Sequence, residues 1–170
     1  MNNKKISTRK LATLALLISV AMILSYVESL IPAFVAVPGV KVGLSNIATV
    51  FALYTMGAVP AIAVSLVRVC LSSLLFGNVS VLLFSLGGAC LSLLMMVPLK
   101  KFAPFSSIGV SVAGGVAHNL GQTIVASLVM ENAAIMSYFV PLLISGTVAG
   151  VAVGVASGLL VERVGKRLKL

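Results

Sequence analysis

A handful of polar side chains in an otherwise apolar chain could do chemistry together. Arg68 falls in the middle of one apolar run, and His118, Asn119 and Gln122 fall in another, inside GGVAHNLGQT. Glu28 closes a third run, and Lys41, Ser45, Asn46 and Thr49 open a fourth, in VPGVKVGLSNIAT. On a helix, positions three or four apart share a face. That rule pairs His118 and Asn119 with Gln122, Asn46 and Ser45 with Thr49, and Arg68 with Ser72. Lys41 and Arg68 are donors only, and His118 can add another. Backbone amides near Gly43 and Leu44, at the start of a helix, add positive potential. Glu28 is the one acid placed to balance them. The set is cationic in character, so it points to an anionic guest, a carboxylate or a phosphate. Plainer roles stand beside this reading. Lys41 can snorkel to headgroups, Arg68 can pair with Glu28, and His118 can bridge two helices.

Other chemistries lack their residues. The chain has no aspartate, three glutamates (Glu28, Glu131 and Glu162) and one histidine. A magnesium-dependent diphosphate enzyme needs clustered carboxylates. The glutamates are far apart in sequence. There is no Gly-rich loop ending in Lys-Ser or Lys-Thr for nucleotide phosphates, and no acid near His118 to build a serine–histidine site. Cys70 and Cys90 match no metal spacing and read as reduced, packed thiols. The expectation is a binding protein with no catalytic residue, no metal and no cofactor. The net charge of +9 does not point to nucleic acid, because the cations flank apolar runs and no aromatic residues are interleaved with them to stack on bases.

The elements that must hold these side chains are membrane helices. The chain of 170 residues is 60% hydrophobic and 9% charged, with a mean hydropathy of +1.21. That is too little polar surface to coat a soluble domain. Six apolar runs near spanning length lie at about 11–30, 43–59, 60–76, 79–98, 107–130 and 138–161. The breaks are Ile31-Pro32 to Gly39, Gly57 to Pro60, Gly77-Asn78, Pro98 to Pro104, and Glu131-Asn132. Joining 43–76 into one helix would give about 50 Å against about 30 Å of hydrocarbon. With six spans, Lys4, Lys5, Arg9 and Lys10, then Lys100 and Lys101, then Arg163, Lys166, Arg167 and Lys169 share one face. The positive-inside rule makes that face cytoplasmic. The expected protein is all-α, a single domain over residues 1–170. It is a multi-pass protein of the bacterial inner membrane with both termini in the cytoplasm.

Small residues suggest how the helices meet. Gly146, Gly150, Gly154 and Gly158 recur every fourth residue, the spacing that lets helices approach closely in lipid. Packing within the chain is the expected use. Ala15 and Ser19, four apart in the first run, form a smoother stripe that could face another subunit. Gly114, Gly115 and Gly121 thin the fifth run beside its polar residues, leaving room for a guest or a close helix.

The stretch from Ile31 to Asn78, IPAFVAVPGVKVGLSNIATVFALYTMGAVPAIAVSLVRVCLSSLLFGN, resembles the small bacterial membrane proteins called Gx transporters or heptaprenyl diphosphate synthase component I. The P-G-x-K-x-G-L-S-N pattern carries the likeness, with Arg68 in the next helix and GGVAHNLGQ in the fifth run. The likeness covers about residues 8–165. That family is similar in size and six-helix layout to the substrate-binding S components of energy-coupling factor (ECF) transporters. The resemblance implies a site that takes a small anionic micronutrient or precursor from outside. The 31–42 loop would be its lid, with Lys41, Asn46, Arg68, His118, Asn119, Gln122 and Glu28 around it. It also implies a coupling subunit and ATPases as partners. Paired alanines four apart on the first helix often dock that subunit, and here the nearest match is Ala15/Ser19. The synthase name implies a different role, a non-catalytic membrane subunit of a heptaprenyl diphosphate synthase that makes a quinone side chain. Without aspartates the chain cannot itself be the prenyl-transferring catalyst by the usual route.

Overall fold

The computed structural model describes residues 7–30, 43–103 and 105–165. Lys41, the 31–42 loop, and the terminal cations Lys4, Lys5, Lys166, Arg167 and Lys169 lie outside the described residues. Among those described the chain is helical, with no strand. The six α-helices are α1 (Thr8–Leu30), α2 (Asn46–Thr55), α3 (Ala58–Phe76), α4 (Val79–Phe102), α5 (Ser107–Val129) and α6 (Phe139–Leu160). A 3-10 segment, Ala133–Tyr138, leads into α6, and a π turn, Val161–Gly165, ends it.

Local chemistry sets most of the boundaries. The side-chain oxygen of Asn78 accepts from Val81 N at 2.9 Å to start α4, and that of Ser106 accepts from Gly109 N at 3.3 Å to start α5. These are N-caps, each satisfying a backbone donor that a helix start leaves orphaned. The break between α2 and α3 falls at Gly57, whose φ of 100° suits glycine. Pro60 then sits in the first turn of α3, where a missing N–H costs nothing. Pro98 does not break α4 as its residue type suggests. The helix runs through it to Phe102.

Among the described residues, four helical stretches are long and apolar enough to cross a bilayer: Thr8–Leu30, Ala58–Phe76, Val79–Phe102 and the continuous Ala133–Gly165. The distribution of side chains fits lipid around them. Large apolar side chains point outward, such as Leu74 at 72% exposed and Leu94 at 68%. Serines and threonines are buried instead, among them Thr49, Ser65, Ser92, Ser111 and Thr123. This inverts the usual arrangement of a soluble domain. α5 has 23 residues, long enough at about 1.5 Å each, but its polar residues dilute its hydropathy.

The second helix departs most from the sequence expectation. A run over 43–59 gives a helix of only 10 residues, about 15 Å long or half a bilayer. Ala48 to Leu53 are all buried, and α2 packs against α1, α3 and α6. α2 is therefore a short buried post, and its polar beginning lies inside the protein. It completes a circuit of helices: α1 packs on α3, α3 on α4, α4 on α5, α5 on α6, α6 on α2 and α2 on α1.

Both ends of this post are held by side chains. At the start the Glu28 carboxylate accepts the Gly43 N–H, with Gly43 at a φ of 74°. At the finish the Lys100 ammonium donates to the Leu53 carbonyl and lies 5.3 Å from the Tyr54 ring centre. The Tyr54 hydroxyl donates to Phe105 O at 2.9 Å. A cation at a helix C-terminus is favourable. Lys100, expected as a plain cytoplasmic anchor, thus also ties α4 to the end of α2. Lys100→Met is expected to lower stability by about 1 kcal/mol, read from thermal unfolding in detergent. An unchanged midpoint contradicts that tie.

The α5–α6 seam explains the glycine row. A Cβ on Gly150 would stand 2.6 Å from Val112 Cα, and one on Gly154 2.5 Å from Ile108 Cα. On Gly146 it would meet Asn119 Nδ2 at 2.7 Å, and on Gly158 Ser107 Oγ at 2.6 Å. α4 and α5 approach as closely through Gly87 and Gly121, where a Cβ on Gly121 would stand 2.5 Å from Gly87 O. Ala15 and Ser19 on α1 are exposed.

Candidate functional site

The polar residues reach one place because each sits on the inner side of its own helix. Glu28 comes from the end of α1, Asn46 from the start of α2, Arg68 from the middle of α3, and His118, Asn119 and Gln122 from α5. All six line a single cavity of about 50 Å³. Gly43 and Ser45 close it beside α2, and Gly146 and Gly150 form its α6 wall.

Arg68 anchors the cationic side. Its Nη2 donates to Asn46 Oδ1 at 3.0 Å. Its Nε is buried and has no hydrogen-bond partner among the described residues. Such a donor costs roughly 1–3 kcal/mol unless something occupies it. The Glu28 carboxylate lines the same cavity, but it accepts from Gly43 N. The amide expected to add positive potential at the start of α2 is therefore already engaged by the one acid present. Thr49 Oγ1, next on the Asn46 face, is buried and also unpartnered among the described residues.

On α5, Asn119 has a structural side to its role. Its Nδ2 donates to Leu142 O at 2.6 Å, linking α5 to α6. The Ser145 hydroxyl reaches the same carbonyl at 3.1 Å. His118 lies against Gly88, where a Cβ would come within 2.8 Å of Nε2. The α4 backbone thus fixes the imidazole's position.

Several lining residues were not singled out by sequence reasoning. Ser92 and Met96 enter from α4, and Ser111 from the first turns of α5. A signal did exist. Ser85, Gly88, Ala89 and Ser92 fall at helical spacing on one face of α4. Ser111, Gly115, His118 and Gln122 do the same on α5. A second polar cavity, of about 110 Å³, shares Glu28 and Arg68 with the first. Ser25, Ser29, Ser72 and Ser73 line it, and the hydroxyls of Ser25 and Ser73 are buried without partners among the described residues.

The arrangement can hold a small negative group. It offers a guanidinium, a histidine and amide side chains in a recessed setting between helices, where a charge-assisted hydrogen bond is stronger than in water. Among the described residues no group of three or more His, Cys, Asp or Glu side chains could bind a metal ion.

The family described as heptaprenyl diphosphate synthase component I matches this chain over residues 17–160. No curated protein and no solved structure matches it.

Proposed function

The chain belongs to the heptaprenyl diphosphate synthase component I family, and from that footing we propose that it is a membrane-embedded, non-catalytic binding component for a small anionic organic molecule. It serves uptake from the outer side, in the manner of an S component. The single observation that carries this is the Arg68 guanidinium, bound to Asn46 and facing a cavity that also takes in His118 and Gln122. Cations inside a membrane are rare and costly, and they mark ligand paths or paired charges. In this reading six helices cross the bilayer with both termini in the cytoplasm. α2 starts at mid-depth as a half-helix, as interrupted helices do in transporter binding sites. A coupling subunit with ATPases supplies the energy.

A second reading has its own support. The family's name implies partnership with a soluble prenyl diphosphate synthase, with this chain as its membrane subunit. Affinity purification from native membranes separates the two. Coupling and ATPase subunits in the eluate support uptake. A soluble, aspartate-rich synthase in their place supports the subunit role.

Glu28 gives a test of sign. Glu28→Gln keeps an oxygen for the Gly43 N–H and removes the negative charge. Glu28 lines the same cavity as the guest, so neutralising it removes a like-charge repulsion of about 1 kcal/mol or more. The variant is therefore expected to bind ethyl phosphate at least about fivefold more tightly in a calorimetric titration. Weaker binding in the variant contradicts an anionic guest.

A further inference from the structure

We propose that the ligand is an amphiphile, with an anionic head in the polar cavity and an apolar body in a second chamber that begins at Gln122. This deepens the anion-site reading and rests on it. The polar cavity, at about 50 Å³, is small against the roughly 300–1,000 Å³ of an ordinary small-molecule site. That suits a carboxylate or a phosphate, and the body of a larger organic molecule needs further space.

The geometry says where. A cavity of about 430 Å³ opens beside the first, and Gln122 lines both. Its other walls include Phe84, Ala126, Met130, Ile135 and Leu142. The volume falls within the range of about 300–1,000 Å³ typical of small-molecule sites. One row along α5 joins the two chambers: His118, Gln122, Ala126 and Met130, each four residues after the last. Residues so spaced lie on one face, and along this face the chemistry changes from polar to apolar at Gln122. The serine-lined cavity shares Glu28 and Arg68 with the head chamber, and Val81 and Ser85 with the apolar one. The three chambers therefore adjoin one another. Another apolar hollow, of about 410 Å³ around Cys90 and Leu94, shares no residue with the head chamber and is not a candidate for the body.

The test uses alkyl phosphates of two, four and eight carbons. They are titrated into the full chain in phosphatidylcholine nanodiscs, with empty nanodiscs subtracted. Burying a methylene is worth a factor of about four, so affinity is expected to climb by that factor per carbon until the chamber is filled. Ala126→Phe puts a ring into the chamber and is expected to flatten the climb. If ethyl and octyl phosphate bind the unaltered protein equally, the amphiphile inference falls and the anion reading stands. If no alkyl phosphate binds, both fall. A climb that persists in Ala126→Phe places the chain in the bilayer and also overturns the inference. Should Ala126→Phe fail to fold, Ile135→Trp blocks the chamber from the Ala133–Tyr138 segment and is read by the same outcomes.

Discussion

Replacing Arg68 by methionine is expected to weaken binding of an organic phosphate by about 30- to 150-fold. The argument starts from what the guanidinium does in the folded chain. It gives one N–H to Asn46 and keeps a buried Nε without a partner among the described residues. Removing one member of an enclosed charge–charge contact costs about 2 kcal/mol or more, and about 2–3 kcal/mol is the stated factor. Stability is expected to fall as well, because methionine leaves the Asn46 oxygen without its donor and the Glu28 charge without its neighbouring cation. Arg68→Lys keeps the charge but loses the planar fork, so it should retain more of the stability while still weakening binding. That comparison distinguishes a ligand-binding cation from one that only holds the helices together. A variant that loses stability and keeps its affinity points to the structural role.

Gly154→Ala is the second large effect, and it concerns the scaffold. The added Cβ would stand 2.5 Å from Ile108 Cα and 3.0 Å from Ser107 O, both on the neighbouring helix backbone. Backbone cannot rotate aside as a side chain can, so α5 and α6 must separate. Overpacking of this kind costs about 1–3 kcal/mol, and a backbone-to-backbone contact belongs at the upper end. Gly154 does not line the polar cavity, so the loss is one of stability first, read as a lowered unfolding midpoint in detergent. Gly109→Ala is the matched control. Its Cβ would meet the Phe105 ring at 3.3 Å, and alanine favours helix by about 1 kcal/mol over glycine. That variant should remain within about 0.5 kcal/mol of the parent. Equal effects from the two substitutions contradict the tight seam.

Much of this architecture could be read from residue types, for reasons that differ by element. Long apolar runs are an unambiguous signal, so α1, α3, α5 and α6 begin and end within a few residues of where hydropathy and punctuation place them. α2 was misread because hydropathy records what a residue is and not how deep it lies. The polar start of that run suggested a membrane surface. In the fold it lies inside, held by Glu28 and Arg68, and the helix is correspondingly short. Pro98 misled in the opposite direction. A proline usually ends a helix, but α4 continues past it to Lys100, which fastens the end of α2.

The site was legible where side chains are rare in apolar helices and obscure where they are common. Arg68, His118 and Gln122 stand out because hydrocarbon makes them costly. Ser92, Met96 and Ser111 line the same cavity, but serine and methionine occur throughout such helices and carry no signal singly. Only their spacing on one face marks them. The glycines of α6 announced close packing by their period, but their partner emerged only with the fold, as the backbone of α5. The sizes of the chambers left no trace in the sequence at all. Volume depends on how far six helices stand apart, and that distance is fixed by contacts between residues far from each other along the chain.

The most direct test of the binding claim is native mass spectrometry of the protein released from its own membranes, beside Arg68→Met prepared in the same way. The account predicts a small acidic adduct on the parent, removed by the substitution while the variant is still recovered folded. Bare protein in both preparations, or an adduct that survives without the guanidinium, contradicts it.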